Sequence, residues 1–147
     1  MPKSIIWDCS KKEINEATAK IIGILKSGRS DAIISELKDG TEREKNEAFL
    51  RKYGIRENER IELLLKHLKS QDICDVRIDE RNESGRRGNL MYIYGTDLKL
   101  KVDEETDSMV KAYIKIEILA IKSNRHVLLI SFHEPEYDMI SVYEELS

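Results

Sequence analysis

Tyr113, Lys115, Ser131 and His133 are the residues whose types and spacing could do chemistry. Tyr113 and Lys115 stand two apart in the run Val110–Ile121, and Ser131 and His133 two apart in the run Val127–His133. Side chains along a strand alternate between faces, so each pair shares a face, and Lys111 falls on the same phase as Tyr113. Histidine and tyrosine can act as general acid and base. Lysine can hold a phosphate and offset the charge that develops at phosphorus. Together these are the parts of a metal-independent ribonuclease. One group takes the proton of a ribose 2′-hydroxyl, another protonates the leaving 5′-oxygen, and cations steady the pentavalent phosphorus. The same residue types also furnish ordinary solvated sheet faces.

Other chemistries have weaker footing. The sequence has no Gly-rich phosphate loop followed by Lys-Ser/Thr, no His-Glu-x-x-His and no Gly-x-Ser-x-Gly. Asp72, Asp75, Asp79 and Glu80 are a poor metal set, because the alternation puts only Asp75 and Asp79 on one side, with Arg77 between them. No metal and no cofactor is expected. Cys9 and Cys74 are too few for a disulfide scaffold, and with three histidines they lack zinc-finger spacing. Cys74 reads as core. His67 reads as a residue favouring the end of its helix, and His126 receives no role.

The elements that must position these residues follow from pattern. The chain has 147 residues, 40% hydrophobic and 36% charged, which predicts one globular domain over 1–147. No apolar run approaches the roughly 18 residues needed to cross a bilayer, and the start lacks a signal-peptide layout. The expectation is a cytoplasmic protein without a membrane partner. The net charge is −3, from 25 basic and 28 acidic residues. Phosphate-coating proteins are usually basic, so nucleic acid could bind only through a local patch. Such a patch exists in 108–133, where Lys111, Lys115, Lys122 and Arg125 face only Glu117. The tail, 135–147, holds Glu136, Asp138, Glu144 and Glu145 and no base.

Residues 1–70 read as helices. Ser10 and Glu13 form a capping box before a stripe of Ile14, Ala17, Ile21, Ile22 and Leu25, ended by Ser27-Gly28. Ser30 or Asp31 is expected to start a short helix with Ile33, Ile34 and Leu37 inward, stopped by Asp39-Gly40. Thr41 and Glu44 read as a second capping box, with Ala48, Phe49 and Tyr53 on one face and Gly54 as a left-handed stop. Asn58 is the expected cap of a helix bearing Ile61, Leu64, Leu65 and Leu68.

Residues 71–134 read as strands. Cys74, Val76 and Ile78 alternate with Asp75, Arg77 and Asp79; Glu80 to Asn89 is a polar loop; Leu90 to Tyr94 and Leu98 to Val102 are strands around a turn at Gly95-Thr96-Asp97. Val110 to Ile121 and Val127 to His133 form a hairpin through Ser123-Asn124-Arg125, closed by Pro135. Helices followed by strands predict an α+β fold, with N-terminal helices on one face of a C-terminal antiparallel sheet. Ile114, Ile116, Ile118, Leu128, Ile130 and Phe132 then lie under the helices. Tyr113, Lys115, Ser131 and His133 share the open face.

Ala112-Tyr113-Ile114-Lys115-Ile116, followed by Val127-Leu128-Leu129-Ile130-Ser131-Phe132-His133-Glu134, resembles the C-terminal hairpin of the motility quorum-sensing regulator (MqsR) toxins, where Tyr-Leu/Ile-Lys precedes Val-Ser-Phe-Lys-Glu. Tyr53-Gly54-Ile55, the helix from Asn58 to Leu68 and Gln71-Asp72-Ile73 look like that family's upstream elements, so the resemblance covers about residues 45 to 134. It implies a RelE-like fold, ribosome-independent cleavage of mRNA and inhibition by a cognate antitoxin. The family's sheet-face tyrosine falls on Tyr113 and its terminal lysine on His133. Its lysine after the helix-to-sheet junction falls on Asp75, with Arg77 the substitute two residues on. Its glutamine has no clear match, and Arg86 or Arg87 can supply a donor.

The expected function is therefore a type II toxin that cleaves single-stranded RNA. His133 is the acid or base, Tyr113 and Lys115 complete the site, Arg77, Arg86, Arg87 and Lys111 hold phosphates, and Ser131 orients the site. The alternative is a non-catalytic protein-binding or regulatory module of the same fold. In the tail, Met139, Tyr143 and Leu146 stand at helical spacing, which predicts a short packed helix or an acidic segment lying across the basic face.

Overall fold

The computed structural model describes residues 3–29, 32–35, 40–81, 86–121 and 124–147. Among them are three helices, α1 (Lys11–Lys26), α2 (Gly40–Tyr53) and α3 (Glu59–His67), and five strands, β1 (Ile33–Ser35), β2 (Ile73–Ile78), β3 (Leu90–Lys101), β4 (Asp107–Ile121) and β5 (Asn124–His133). The strands form one sheet in the order β1-β5-β4-β3-β2. Every pairing is antiparallel except β1 with β5. The fold is α+β, with the helices packed against a mostly antiparallel sheet.

Local chemistry explains the helices. Ser10 Oγ accepts from the Glu13 amide at 3.1 Å while Glu13 Oε1 accepts from the Ser10 amide at 3.0 Å, so the capping box of α1 is complete. Gly54 turns left-handed at φ +63 after α2, and the Ile55 amide bonds back to the Leu50 carbonyl at 2.9 Å. Thr41 lies inside α2 rather than capping it, and Asn58 makes no side-chain cap bond to α3. The main core lies between helices and sheet, where Ile14, Ile21 and Leu64 meet Tyr94, Ile114, Ile116 and Phe132.

Four expectations are corrected. Ile33 to Ser35 form a strand, not a helix; the β-branched Ile33 and Ile34 lie against Val127 and Leu128 at the β5 edge. Ser30, Asp31, Leu37 and Asp39 of that expectation lie outside the described residues, as do Ser84-Gly85 and Ser123. Gly95-Thr96-Asp97 is no turn: β3 runs straight through, pairing these residues with Tyr113, Ala112 and Lys111.

The third correction concerns the faces of β5. A bulge shifts the β4–β5 register, so Lys115 pairs with Ser131 but Ile116 pairs with Leu129. One extra residue exchanges the faces beyond it. Leu129 therefore joins the main core, and Leu128 and Ile130 pack with Met91 in a small cluster on the opposite face. A second irregularity, between Ile73 and Asp75, puts Ile73 in the core and leaves Cys74 only half-buried. The fourth concerns the tail, which holds only a 3-10 turn at Tyr143–Glu145, although Tyr143 and Leu146 are buried.

Two helices finish the sheet edges with side chains. β1 pairs with β5 only as far as Leu129. Beyond it, Asn46 of α2 donates to the Ile130 carbonyl at 3.0 Å and accepts from the Phe132 amide at 2.8 Å. The side-chain amide thus stands in for a strand. At the other side, His67 Nε2 of α3 accepts from the Lys99 amide at 3.3 Å, so this histidine serves β3 as well as its own helix end.

Candidate functional site

Asn46 fixes α2 against the end of β5, and that places Glu42, one turn earlier, beside His133. The Glu42 Oε2 atom lies 3.0 Å from His133 Nε2 and accepts from Ser131 Oγ at 2.6 Å. His133 Nδ1 lies 2.8 Å from the Glu134 carbonyl oxygen. Both ring nitrogens thus face acceptors, and the ring satisfies both only when each nitrogen carries a proton. The hydrogen bond from His133 is the main cause that holds the Glu42 carboxyl at about 2; partial burial opposes it, and Ser131, the His133 charge and Lys45 assist. A carboxylate and an imidazole ring therefore stand in contact, with the histidine only 6% exposed.

Tyr113 faces His133 across the β4–β5 ladder. Their rings stack with centroids 5.2 Å apart and planes inclined by 7°. Tyr137 meets the Tyr113 ring edge-on at 6.2 Å. Burial pushes the Tyr113 hydroxyl well above its ordinary value, and the neighbouring Tyr137 adds to the shift. Tyr113 therefore stays protonated at neutral pH and can donate a hydrogen bond but not serve as a base.

The cleft beside His133 has a volume of about 200 Å³ and is lined by Lys45, Phe49, Lys52, Glu134 and Glu136. A smaller depression of about 120 Å³ reaches Glu42, Tyr113 and Tyr137. The cations here already have carboxylate partners. Lys45 lies 3.6 Å from Glu42 and is also paired with Glu136, and Lys52 contacts Glu134 at 2.7 Å.

The structure brings Tyr113, Ser131 and His133 together as the alternation requires. Lys115 is on the same face, half-buried between Ser131 and Ile93. Arg77 is on that face too and contacts Asp75 at 2.8 Å. Lys111 is exposed and contacts Asp97 at 3.3 Å. The two loop arginines are not part of this cluster. Arg86 is 6% exposed, with its guanidinium 3.1 Å from Asp79 and 3.3 Å from Glu117. Buried and bonded to two buried carboxyl groups, it is a structural residue and not a phosphate clamp. Arg87 is exposed but lies just before Leu90, while Tyr113 pairs with Gly95, which separates them by about 17 Å of strand at the usual rise.

Glu117 escaped the sequence reading as well. It sits on the polar phase of β4 yet is fully buried. Burial first, and then a hydrogen bond with Asp79, pushes its carboxyl up to about 7 against the pull of Arg86 and Asn89. Burial also opposes ionisation of Asp79, but its bonds to Glu117 and to the Arg81 amide leave that carboxyl lowered, so the pair's proton resides on Glu117. Glu42 was the other omission. Its signal was present, since Glu42, Asn46, Phe49 and Tyr53 follow one another at steps of four, three and four, putting two polar residues on the stripe that faces the sheet.

No protein-family model, curated protein or solved structure matches this chain. Among the described residues no helix is long and apolar enough to cross a membrane, and no cluster of three or more His, Cys, Asp or Glu residues could hold a metal ion.

Proposed function

We propose that the protein is a type II toxin of the motility quorum-sensing regulator kind, a metal-independent endoribonuclease of RelE-like fold that acts on single-stranded mRNA in the cytoplasm. The observation that carries this reading is the contact between His133 and Glu42 at the mouth of a cleft flanked by Lys45 and Lys52. An acid and a base in contact, next to cations, suit phosphodiester transesterification. A substrate phosphate attracts the imidazolium away from Glu42. The carboxylate then becomes more basic and takes the proton of the ribose 2′-hydroxyl. The 2′-oxygen bonds to phosphorus, the bond from phosphorus to the 5′-oxygen breaks, and His133 gives that oxygen its proton. The products are a 2′,3′-cyclic phosphate and a 5′-hydroxyl. Tyr113, held protonated, donates to a phosphate oxygen, and Ser131 positions Glu42. Lys115, Arg77 and Lys111 lie along the path of the strand on the same face. A cognate antitoxin would occupy or occlude this surface.

One observation favours the second reading, a non-catalytic protein-binding module. Lys45, Lys52, Arg77 and Lys111 are each paired with a carboxylate, which lowers the pull of the face on phosphate. Incubation of the purified protein with mixed-sequence single-stranded RNA in EDTA separates the two. Cleavage by the wild type and none by His133→Ala supports the nuclease. Intact RNA with both proteins favours the binding module.

A further inference from the structure

After β5 the chain turns back over the sheet. Glu136 pairs with Lys45 of α2. Tyr137 lies edge-on to the Tyr113 ring. Met139 lies over Gly95, so close that a Cβ on that glycine would stand 2.9 Å from Met139 Cβ, 3.2 Å from its sulfur and 3.3 Å from Cys74 Sγ. Ser141 Oγ donates to the Gln71 carbonyl. The segment thus crosses the strands from His133 on β5, over Tyr113 on β4 and Gly95 on β3, to the start of β2.

Its two ends are fixed differently from its middle. Upstream, His133 belongs to the β5 ladder. Downstream, the Val142 amide bonds the Ile73 carbonyl at 3.0 Å, Tyr143 and Leu146 are buried, Tyr143 Oη contacts Asn15 at 3.1 Å, and the Lys11 amide bonds the Ser147 carbonyl at 2.8 Å. Between these anchors, residues 135–141 make no backbone-to-backbone hydrogen bond among the described residues. They are held by side chains alone. Tyr137 is 57% and Ile140 75% exposed, so the middle buries little apolar surface of its own. A segment with few buried contacts and no ladder opens at low free energy while its anchors stay in place.

We propose that residues 135–141 are a strap lying across the Tyr113–His133 end of the sheet, and that the sheet face beneath it, from Tyr113 to Gly95, opens to a ligand only when the strap lifts. The proposal rests on the RNA-cleaving reading in one respect: the strap then holds the nuclease in a low-activity form, and whatever lifts it, such as a bound partner, raises the rate. The lifting itself is a property of the chain and has its own readout. Cys74 lies beside Met139 and is half-buried, whereas Cys9 is buried apart from the strap.

The test uses the full chain and two variants. Gly95→Ala puts a methyl group where Met139 sits, and Tyr137→Ala removes the contact with Tyr113. Labelling of Cys74 by a disulfide reagent, located by peptide mapping, reports lifting. Cleavage of single-stranded RNA in EDTA reports access. The expected result is labelling at least tenfold faster, and cleavage several-fold faster, in both variants, with unchanged circular dichroism. Labelling at the wild-type rate in both variants overturns the strap. Faster labelling with cleavage equal to an active wild type overturns its role as a gate. Faster labelling with no cleavage or RNA binding by any form upholds the lifting strap and rejects the nuclease reading.

Discussion

Glu42 and His133 are separated by 91 positions in the chain, yet their side chains meet at 3.0 Å. The contact exists because Asn46 clips α2 onto the free edge of β5 at Ile130 and Phe132. Edge pairing by one amide thus determines where an acid–base pair stands, and this link from packing to chemistry yields the first prediction.

Asn46→Ala removes two hydrogen bonds and leaves a buried carbonyl and amide without partners, which costs about 1–3 kcal/mol for such groups. Urea unfolding should report that loss. RNA cleavage should fall as well, because α2 no longer presents Glu42. Asn46→Asp should destabilise at least as much, since a carboxylate cannot donate to the Ile130 carbonyl.

The Glu42 carboxyl is held at about 2 against 4.5 in an unstructured chain. A group lowered in the folded state stabilises that state above the unfolded value and loses this contribution as pH falls. The window therefore runs from about 4.5 down to about 2. The shift corresponds to roughly 3–4 kcal/mol at the conversion of about 1.4 kcal/mol per unit. Glu42→Gln should lose up to that amount at pH 6 and almost none near pH 2, as read by urea titrations at both values. If the gap between wild type and variant stays constant over this range, the ion pair is not its source.

Ser131 donates to the same carboxylate oxygen and helps to lower it. Ser131→Ala should raise the Glu42 carboxyl and move the acid limb of the cleavage pH profile upward by less than about one unit, the scale of one lost hydrogen bond. An unshifted acid limb would mean that Glu42 is not the base.

Glu117 carries the opposite sign. Its carboxyl is raised to about 7 in the fold, so its contribution is complete below about 4.5 and is lost as pH rises through 7. Glu117→Gln keeps the shape and cannot ionise. Its stability should therefore fall less than that of the wild type between pH 5 and 8 in thermal melts.

The two neighbouring loop arginines should behave differently. Arg86→Ala removes the buried cation that Asp79 and Glu117 share and leaves Asp79 only the more distant Arg81 at 3.9 Å, a loss of about 3–5 kcal/mol for a broken buried pair. Arg87→Ala alters an exposed side chain and should stay within about 0.5 kcal/mol of wild type. Chemical denaturation of both variants checks the contrast.

The sequence by itself determined much of this protein. Periodicity of 3.6 and then 2 separated helices from strands, the Ser10–Glu13 capping box and Gly54 placed helix ends, and the two-residue spacings put Tyr113 with Lys115 and Ser131 with His133 on one face. These are local properties, set by backbone geometry within a few residues. Only the tertiary structure decided what lies against that face. The bulge in β5 exchanged the places of Leu128 and Leu129, because one unpaired residue resets alternation with no mark in composition. Gly95 reads as a turn residue, but it is a strand residue without a side chain where Met139 crosses. Arg86 reads as a phosphate ligand and Glu117 falls on the polar phase of its strand, yet the two are buried partners. Glu42 reads as one more helical carboxylate, and its role depends on the distant edge of β5. Charges acquire meaning from their neighbours in space, and those neighbours are fixed by pairing across long stretches of chain.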